Sequence, residues 1–122
     1  MTDWGSALGL HWAYRHADRL CGTVVLEIIR PFPTWDDAAN GDAQDLFKAF
    51  RIPEAGPRLL LEDNLFLKMV LPRGIVWQLK SEEQAYYESS FPDVDSREPV
   101  YRRPNELPIE GQPGDVYDIV TR

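Results

Sequence analysis

Histidine is scarce in this chain. His11 and His16 are the only two among 122 residues, and both lie near the start. Cysteine is scarcer: Cys21 stands alone, so no internal disulfide can form, and a reducing cytoplasm is the compartment that fits. Positive charge is also short, with 13 Lys and Arg against 20 Asp and Glu, a formal net charge of −7. An acidic surface repels phosphate backbones, which argues against a nucleic-acid partner. No run approaches the roughly 20 apolar residues needed to span a bilayer, so no membrane partner is expected. The start lacks the basic-then-apolar pattern of a secretory signal. Repeats and low-complexity stretches are missing too. What is present is a hydrophobic content of 43%, which belongs to a folded chain rather than a disordered one. The length suits one small domain. Neither a cofactor nor a metal is expected.

Along the chain, the residues from Gly5 to about Arg15 carry Ala7, Leu8, Leu10, Trp12 and Tyr14, a pattern for a helix packed against a sheet. Gly22 to Ile29 is short, apolar and β-branched, the profile of a buried parallel strand. A helix followed by a strand makes one α/β unit. Arg30-Pro31-Phe32-Pro33 ends it, and helical and loop patterns follow to about Pro108. Thr34 can N-cap a helix from Trp35, Asp42 can cap Ala43 to Arg51, and Pro57 can open Arg58 to Asn64. Phe66 to Leu71 is a further apolar stretch, and Ser81 to about Ser89 another helix. Pro92 to Pro113 is proline-rich and read mostly as loop. Asp115 to Arg122 reads as an amphipathic helix without a stop signal. Met1 and Thr2 lead almost directly into the first helix with no preceding strand. Both ends are therefore expected to be interruptions of a longer protein.

Two carboxylates carry the chemistry. Asp3-Trp4-Gly5-Ser6 sits where a strand would turn sharply into a helix. A nucleophile on such a turn is exposed at the sheet's end, and the helix N-terminus favours negative charge there. Asp3 is equally suited to being a plain N-cap. Glu27 lies within Val24-Val25-Leu26-Glu27-Ile28-Ile29, where a carboxylate is costly to bury without a polar partner. It is either a solvated strand-end residue or a site residue at the carboxyl end of a parallel strand. The 24-residue separation leaves one helix and one strand between the two, which would bring them to neighbouring strand ends within reach of one histidine.

From Asp3 to Gly9 the chain resembles the nucleophile elbow of the haloalkane dehalogenases, a family of the α/β-hydrolase superfamily, without a mismatch. Leu26-Glu27-Ile28-Ile29 resembles the segment that bears the catalytic acid in one large subgroup. Arg30 to Asp36, Leu46 to Arg51, Glu62 to Phe66, Leu71 to Gly74, Arg97 to Pro99 and Asn105 to Gly111 follow in the family's order. The resemblance implies an incomplete α/β-hydrolase fold: a core fragment over 1–30, a helical cap over 31–108, and a return to the core over 109–122. It implies that Asp3 attacks a halogen-bearing carbon and forms an alkyl ester. It further implies that the Trp4 indole N–H binds the departing halide, and that Glu27 orients a histidine base. Phe47, Phe50, Phe66, Val70, Gly74, Pro104 and Leu107 match cap positions that line an apolar substrate pocket; ordinary core packing is the competing account of each. The implied partners are a small halogenated hydrocarbon, halide ion and water.

The departures are specific. The family's histidine follows the acid in chain order, and no histidine follows Glu27. Nothing upstream supplies a second halide donor, and Thr2 stands where the family usually has histidine. A haloalkane dehalogenase section that is inactive by itself is therefore expected. Two alternatives stand beside it: an epoxide hydrolase of the same fold, which would call on Tyr86, Tyr87 or Tyr101, and a non-catalytic remnant that keeps an apolar pocket. Styrene oxide against 1-bromobutane separates the first, and the presence of an adduct at Asp3 separates the second.

Overall fold

The computed structural model describes residues 1–121. They divide into two compact units: Met1–Asn40 with Glu106–Arg122, of which Arg122 lies outside the described residues, and Gly41–Asn105. The architecture is an incomplete α/β arrangement, a small parallel sheet with its helix in one unit and a mostly helical second unit.

In the first unit a two-residue strand β1 (Thr2–Asp3) runs directly into α1 (Trp4–Arg15), and β2 (Leu26–Ile28) pairs parallel to β1. The sequence suggested no strand before the first helix, yet Thr2 and Asp3 form one because β2 offers them a partner. The chain start is tied down further: the Met1 ammonium donates to the Val24 carbonyl at 2.6 Å, and Leu26 N–H to the Met1 carbonyl at 3.0 Å. The expected strand over Gly22 to Ile29 shortens to three residues, of which Leu26 and Ile28 are paired, all of them exposed rather than buried. Among the described residues β2 has β1 alone as a sheet neighbour, so only that contact fixes its extent. Ser6, Ala7 and Ala13 form the buried face of α1.

This unit also contains a short 3-10 helix (Ala17–Arg19), α2 (Trp35–Ala38) and α7 (Gly114–Val120). Thr34 caps α2 as its sequence position implied: its hydroxyl accepts from Asp37 N–H, and the Asp37 carboxylate accepts from Thr34 N–H, satisfying two orphan donors reciprocally. Phe32 N–H donates to the Pro108 carbonyl at 2.8 Å and Glu110 N–H to the Phe32 carbonyl at 2.9 Å. These bonds bring residues 31–40 and 106–108 into the first unit, whereas the sequence division had placed them in the cap. Ile109 and Gln112 exchange backbone hydrogen bonds around Glu110 and Gly111, both at positive φ, a tight two-residue turn.

The second unit contains α3 (Gly41–Phe50), two consecutive π-helices (Arg58–Glu62 and Phe66–Val70), α4 (Leu71–Arg73), α5 (Ser81–Ser89) and α6 (Glu98–Asn105). Its core gathers Phe50, Leu60, Leu67 and Val100. Proline at position 57 stands just before the first π-helix, in keeping with the start read from the sequence, but the ring size is i→i+5: Asp63 N–H reaches the Arg58 carbonyl at 2.9 Å. The loop expected over Pro92 to Pro113 is overturned by α6. Pro99 lies in the first turn, where no N–H partner is needed, and Pro104 in the last. The Asp93–Ser96 pair leads into it: Ser96 N–H donates to the Asp93 carboxylate at 2.9 Å, which holds that carboxyl below its usual pKa.

Arg97 is the polar hub of this unit. Its guanidinium donates to the carbonyls of Leu61 (2.7 Å), Phe91 (3.1 Å), Glu62 (3.2 Å) and Pro92 (3.2 Å), joining the end of the first π-helix to the entry of α6. Gly56 makes a close approach that no side chain allows: a Cβ there would lie 2.1 Å from the Phe50 carbonyl oxygen.

Candidate active site

Asp3 ends β1 and N-caps α1, its carboxylate accepting from Trp4 N–H at 2.7 Å. The cap reading and the nucleophile reading thus describe the same residue. Its backbone is unusual for a cap: φ 49° and ψ −136° are far from the extended conformation of an ordinary N-cap. A non-glycine residue held there costs about 1–3 kcal/mol and persists only where its surroundings fix it, a pattern that clusters at active sites. The sharp turn leaves the Asp3 side chain exposed and Trp4 half-buried behind it.

Glu27 has φ 50°, also in the left-handed region. Thr2 pairs with Leu26 and Asp3 with Ile28, so Glu27 is the extra residue of a bulge. Bulges re-aim a side chain and are frequent next to active sites. Both carboxylates therefore sit at strained positions on neighbouring parallel strands, Glu27 bulged out between the pairs that hold Asp3 in register.

Ser6 is the residue that sequence reasoning overlooked. It is fully buried; its hydroxyl donates to the Asp3 carbonyl at 2.5 Å and accepts from Ile29 N–H at 3.0 Å. No local pattern could have singled it out, because its second partner is 23 residues away.

His11 and His16 lie on and just beyond α1. His11 lines a cavity of about 140 Å³ with Ala7, Leu10, Ile28 and Ile29, and His16 packs on Trp12 at 4.7 Å between ring centroids. Neither shares a hydrogen bond with Asp3 or Glu27 among the contacts that hold the elbow.

The apolar candidates fall mostly in the second unit. Phe47 and Phe50 meet edge to face at 5.6 Å, but Phe50 is 1% exposed and belongs to that unit's core. Phe66 and Val70 occupy the first and last positions of the second π-helix, a rare geometry that recurs at functional sites. Gly74 is exposed, Pro104 is buried in α6, and Leu107 is half-buried in the first unit. Asn64, between the two π-helices, was not foreseen. It is 2% exposed, has φ 54°, and its side-chain oxygen has no hydrogen-bond partner.

No family model matches the chain. Individual relatives do. The haloalkane dehalogenase of Mesorhizobium japonicum is 45% identical over 118 residues, 96% of this chain and 38% of the relative. That of Bradyrhizobium diazoefficiens is 44% identical over 97% of this chain and 41% of its own length. Among solved structures, a putative ancestral haloalkane dehalogenase superposes with a TM-score of 0.92 at 46% identity, covering 98% of this chain and 42% of that one. Haloalkane dehalogenase DbeA from Bradyrhizobium elkani gives 0.91 at 40% identity, with the same coverage. Over nearly its whole length the chain is thus similar in sequence and fold to a section of haloalkane dehalogenases, of whose length it spans about two fifths.

Proposed function

We propose that these residues carry the first half of a hydrolytic dehalogenation, with a small haloalkane as substrate. An Asp3 carboxylate oxygen bonds to the halogen-bearing carbon as the carbon–halogen bond breaks, and the halide departs with the bonding pair. The product is an alkyl ester on Asp3. The Trp4 indole N–H donates to the leaving halide, whose charge develops only during the reaction, which is where a fixed donor lowers the barrier. Trp4 backbone N–H, already directed at the Asp3 carboxylate, serves as an oxyanion donor when water attacks the ester. Glu27 orients the histidine that would activate this water. Phe47, Phe66, Val70, Gly74 and Pro104 are the second unit's candidates for apolar substrate contacts, with Phe50 in that unit's core, and Leu107 is the first unit's. A cytoplasmic setting, where the exposed thiol of Cys21 stays reduced, belongs to the same proposal.

The observation that carries the reading is the strained backbone of Asp3, which an N-cap alone does not require. The 122-residue polypeptide has no histidine after Glu27. Made alone, it is expected to stop at the ester.

Halide stoichiometry tests this. With 1-bromobutane, and Cys21→Ser to remove the competing thiol, bromide release is expected to level off near one equivalent per chain. Added imidazole should convert the plateau into slow turnover by supplying a base. Asp3→Asn should abolish the release. Sustained turnover without imidazole, or release unaffected by Asp3→Asn, would contradict the proposal.

A further inference from the structure

We infer that Ser6 is a positioning residue: its buried hydroxyl fastens the nucleophile turn to the acid-bearing strand and so sets where the Asp3 carboxylate stands. The inference rests on the ester-forming role proposed for Asp3. Three observations support it. Ser6 is 0% exposed, and both bonds of its hydroxyl go to backbone, one as donor to the Asp3 carbonyl and one as acceptor from Ile29 N–H. These two backbone groups flank the two irregular points of the sheet, Asp3 at φ 49° and the Glu27 bulge at φ 50°. The paired part of β1 is only two residues long, so the ladder by itself gives the turn little support.

A side chain bonded only to its own turn would stabilise the turn and nothing else. Ser6 does more, because the strand it reaches is the one that carries Glu27. If the hydroxyl is removed, Asp3 loses an acceptor bond that fixes its carbonyl, and Ile29 N–H loses its partner. The strained turn can then relax, and the carboxylate leaves the line of attack. A displacement of about 1 Å from a near-attack geometry costs about a hundredfold in rate. Binding of a small apolar substrate depends on pocket surface that Ser6 does not form. The rate at saturation should therefore fall while the half-saturating concentration stays constant.

The test uses the full 122-residue chain with Cys21→Ser, comparing Ser6 with Ser6→Ala, Ser6→Cys and Ser6→Thr. Two readouts are followed: the rate of butyl-ester formation at Asp3 by mass spectrometry with 1-bromobutane, and exchange of single backbone amides by NMR. Ser6→Cys fills the same space with a weak donor, whereas Ser6→Thr keeps the hydroxyl. Ser6→Ala and Ser6→Cys are expected to slow ester formation at saturation at least tenfold with unchanged half-saturation and final yield, and Ser6→Thr to restore much of the rate. The Ile29 amide should exchange faster in the slowed variants, while the Leu26 amide, which is bonded to Met1, should not change. Equal loss of protection at Leu26 and Ile29, or a lower yield at an unchanged rate, would reduce Ser6 to a purely structural role and overturn the inference. So would faster Ile29 exchange with an unchanged ester rate. Failure of the Ser6 chain itself to form any ester at Asp3 would overturn the proposed reaction instead, which separates the two failures.

Discussion

The two units of this chain hold their residues in place by different means. The second has a packed core of Phe50, Leu60, Leu67 and Val100, crossed by the four-carbonyl clasp of Arg97. The first rests the residues of the proposed chemistry on a two-stranded sheet with exposed apolar side chains at Leu26 and Ile28, and it places two non-glycine residues in the left-handed region side by side. Strain of this kind persists only when neighbouring bonds determine it. Here those bonds are few and identifiable: the Asp3 cap, the Ser6 hydroxyl and the ladder. Stability in one unit comes from burial, whereas geometry in the other comes from a handful of hydrogen bonds.

Substitutions can break this contrast, and the largest effects should fall in the second unit. Phe50→Ala removes a fully buried ring and is expected to cost about 3–5 kcal/mol in urea unfolding. Amide exchange should show the loss in residues 41–105, with Leu26 and Ile29 unaffected; equal loss in both units would mean that they unfold together. Arg97→Met keeps the stem but removes four charge-assisted bonds, leaving carbonyls of Leu61 and Phe91 without their donor. A loss of about 2–4 kcal/mol is expected. Gly56→Ala should cost about 1–3 kcal/mol, because the added methyl meets the Phe50 backbone rather than a side chain that could swing away.

Leu26→Lys should change stability by less than about 0.5 kcal/mol, since Leu26 is 68% exposed. It should nonetheless reduce self-association in sedimentation, because a charge on an exposed strand discourages edge pairing. A large loss of stability from this last change would show that β2 is more deeply supported than its exposure indicates.

Much of the second unit was legible because its signals are local. Ser81–Ser89 matches the helix expected from its opening residues, and Pro57 stands just before the helical turn that begins at Arg58. The α6 helix was missed because its prolines read as breakers; their positions in the first and last turns, where they do least harm, emerge only once the helix boundaries are known. The π geometry of Arg58–Glu62 and Phe66–Val70 was equally out of reach, since a one-residue change in ring size leaves the apolar pattern nearly unaltered. In the first unit the residue types at Asp3 and Glu27 were legible, and so was their spacing by one helix and one strand. The bulge at Glu27 was not, because a change in the sign of φ at a glutamate leaves no mark on composition. Ser6 was hidden for a third reason: its role depends on a residue brought near only by the fold.

The central claim is that Asp3 is a nucleophile rather than a cap alone. Peptide mapping by mass spectrometry after incubation with 1-bromobutane tests it most directly, with Cys21→Ser in place so that the exposed thiol cannot compete. One butyl group on the peptide containing Asp3, lost in Asp3→Asn, is the expected result. An unmodified Asp3 peptide, or the same modification in Asp3→Asn, would contradict the claim.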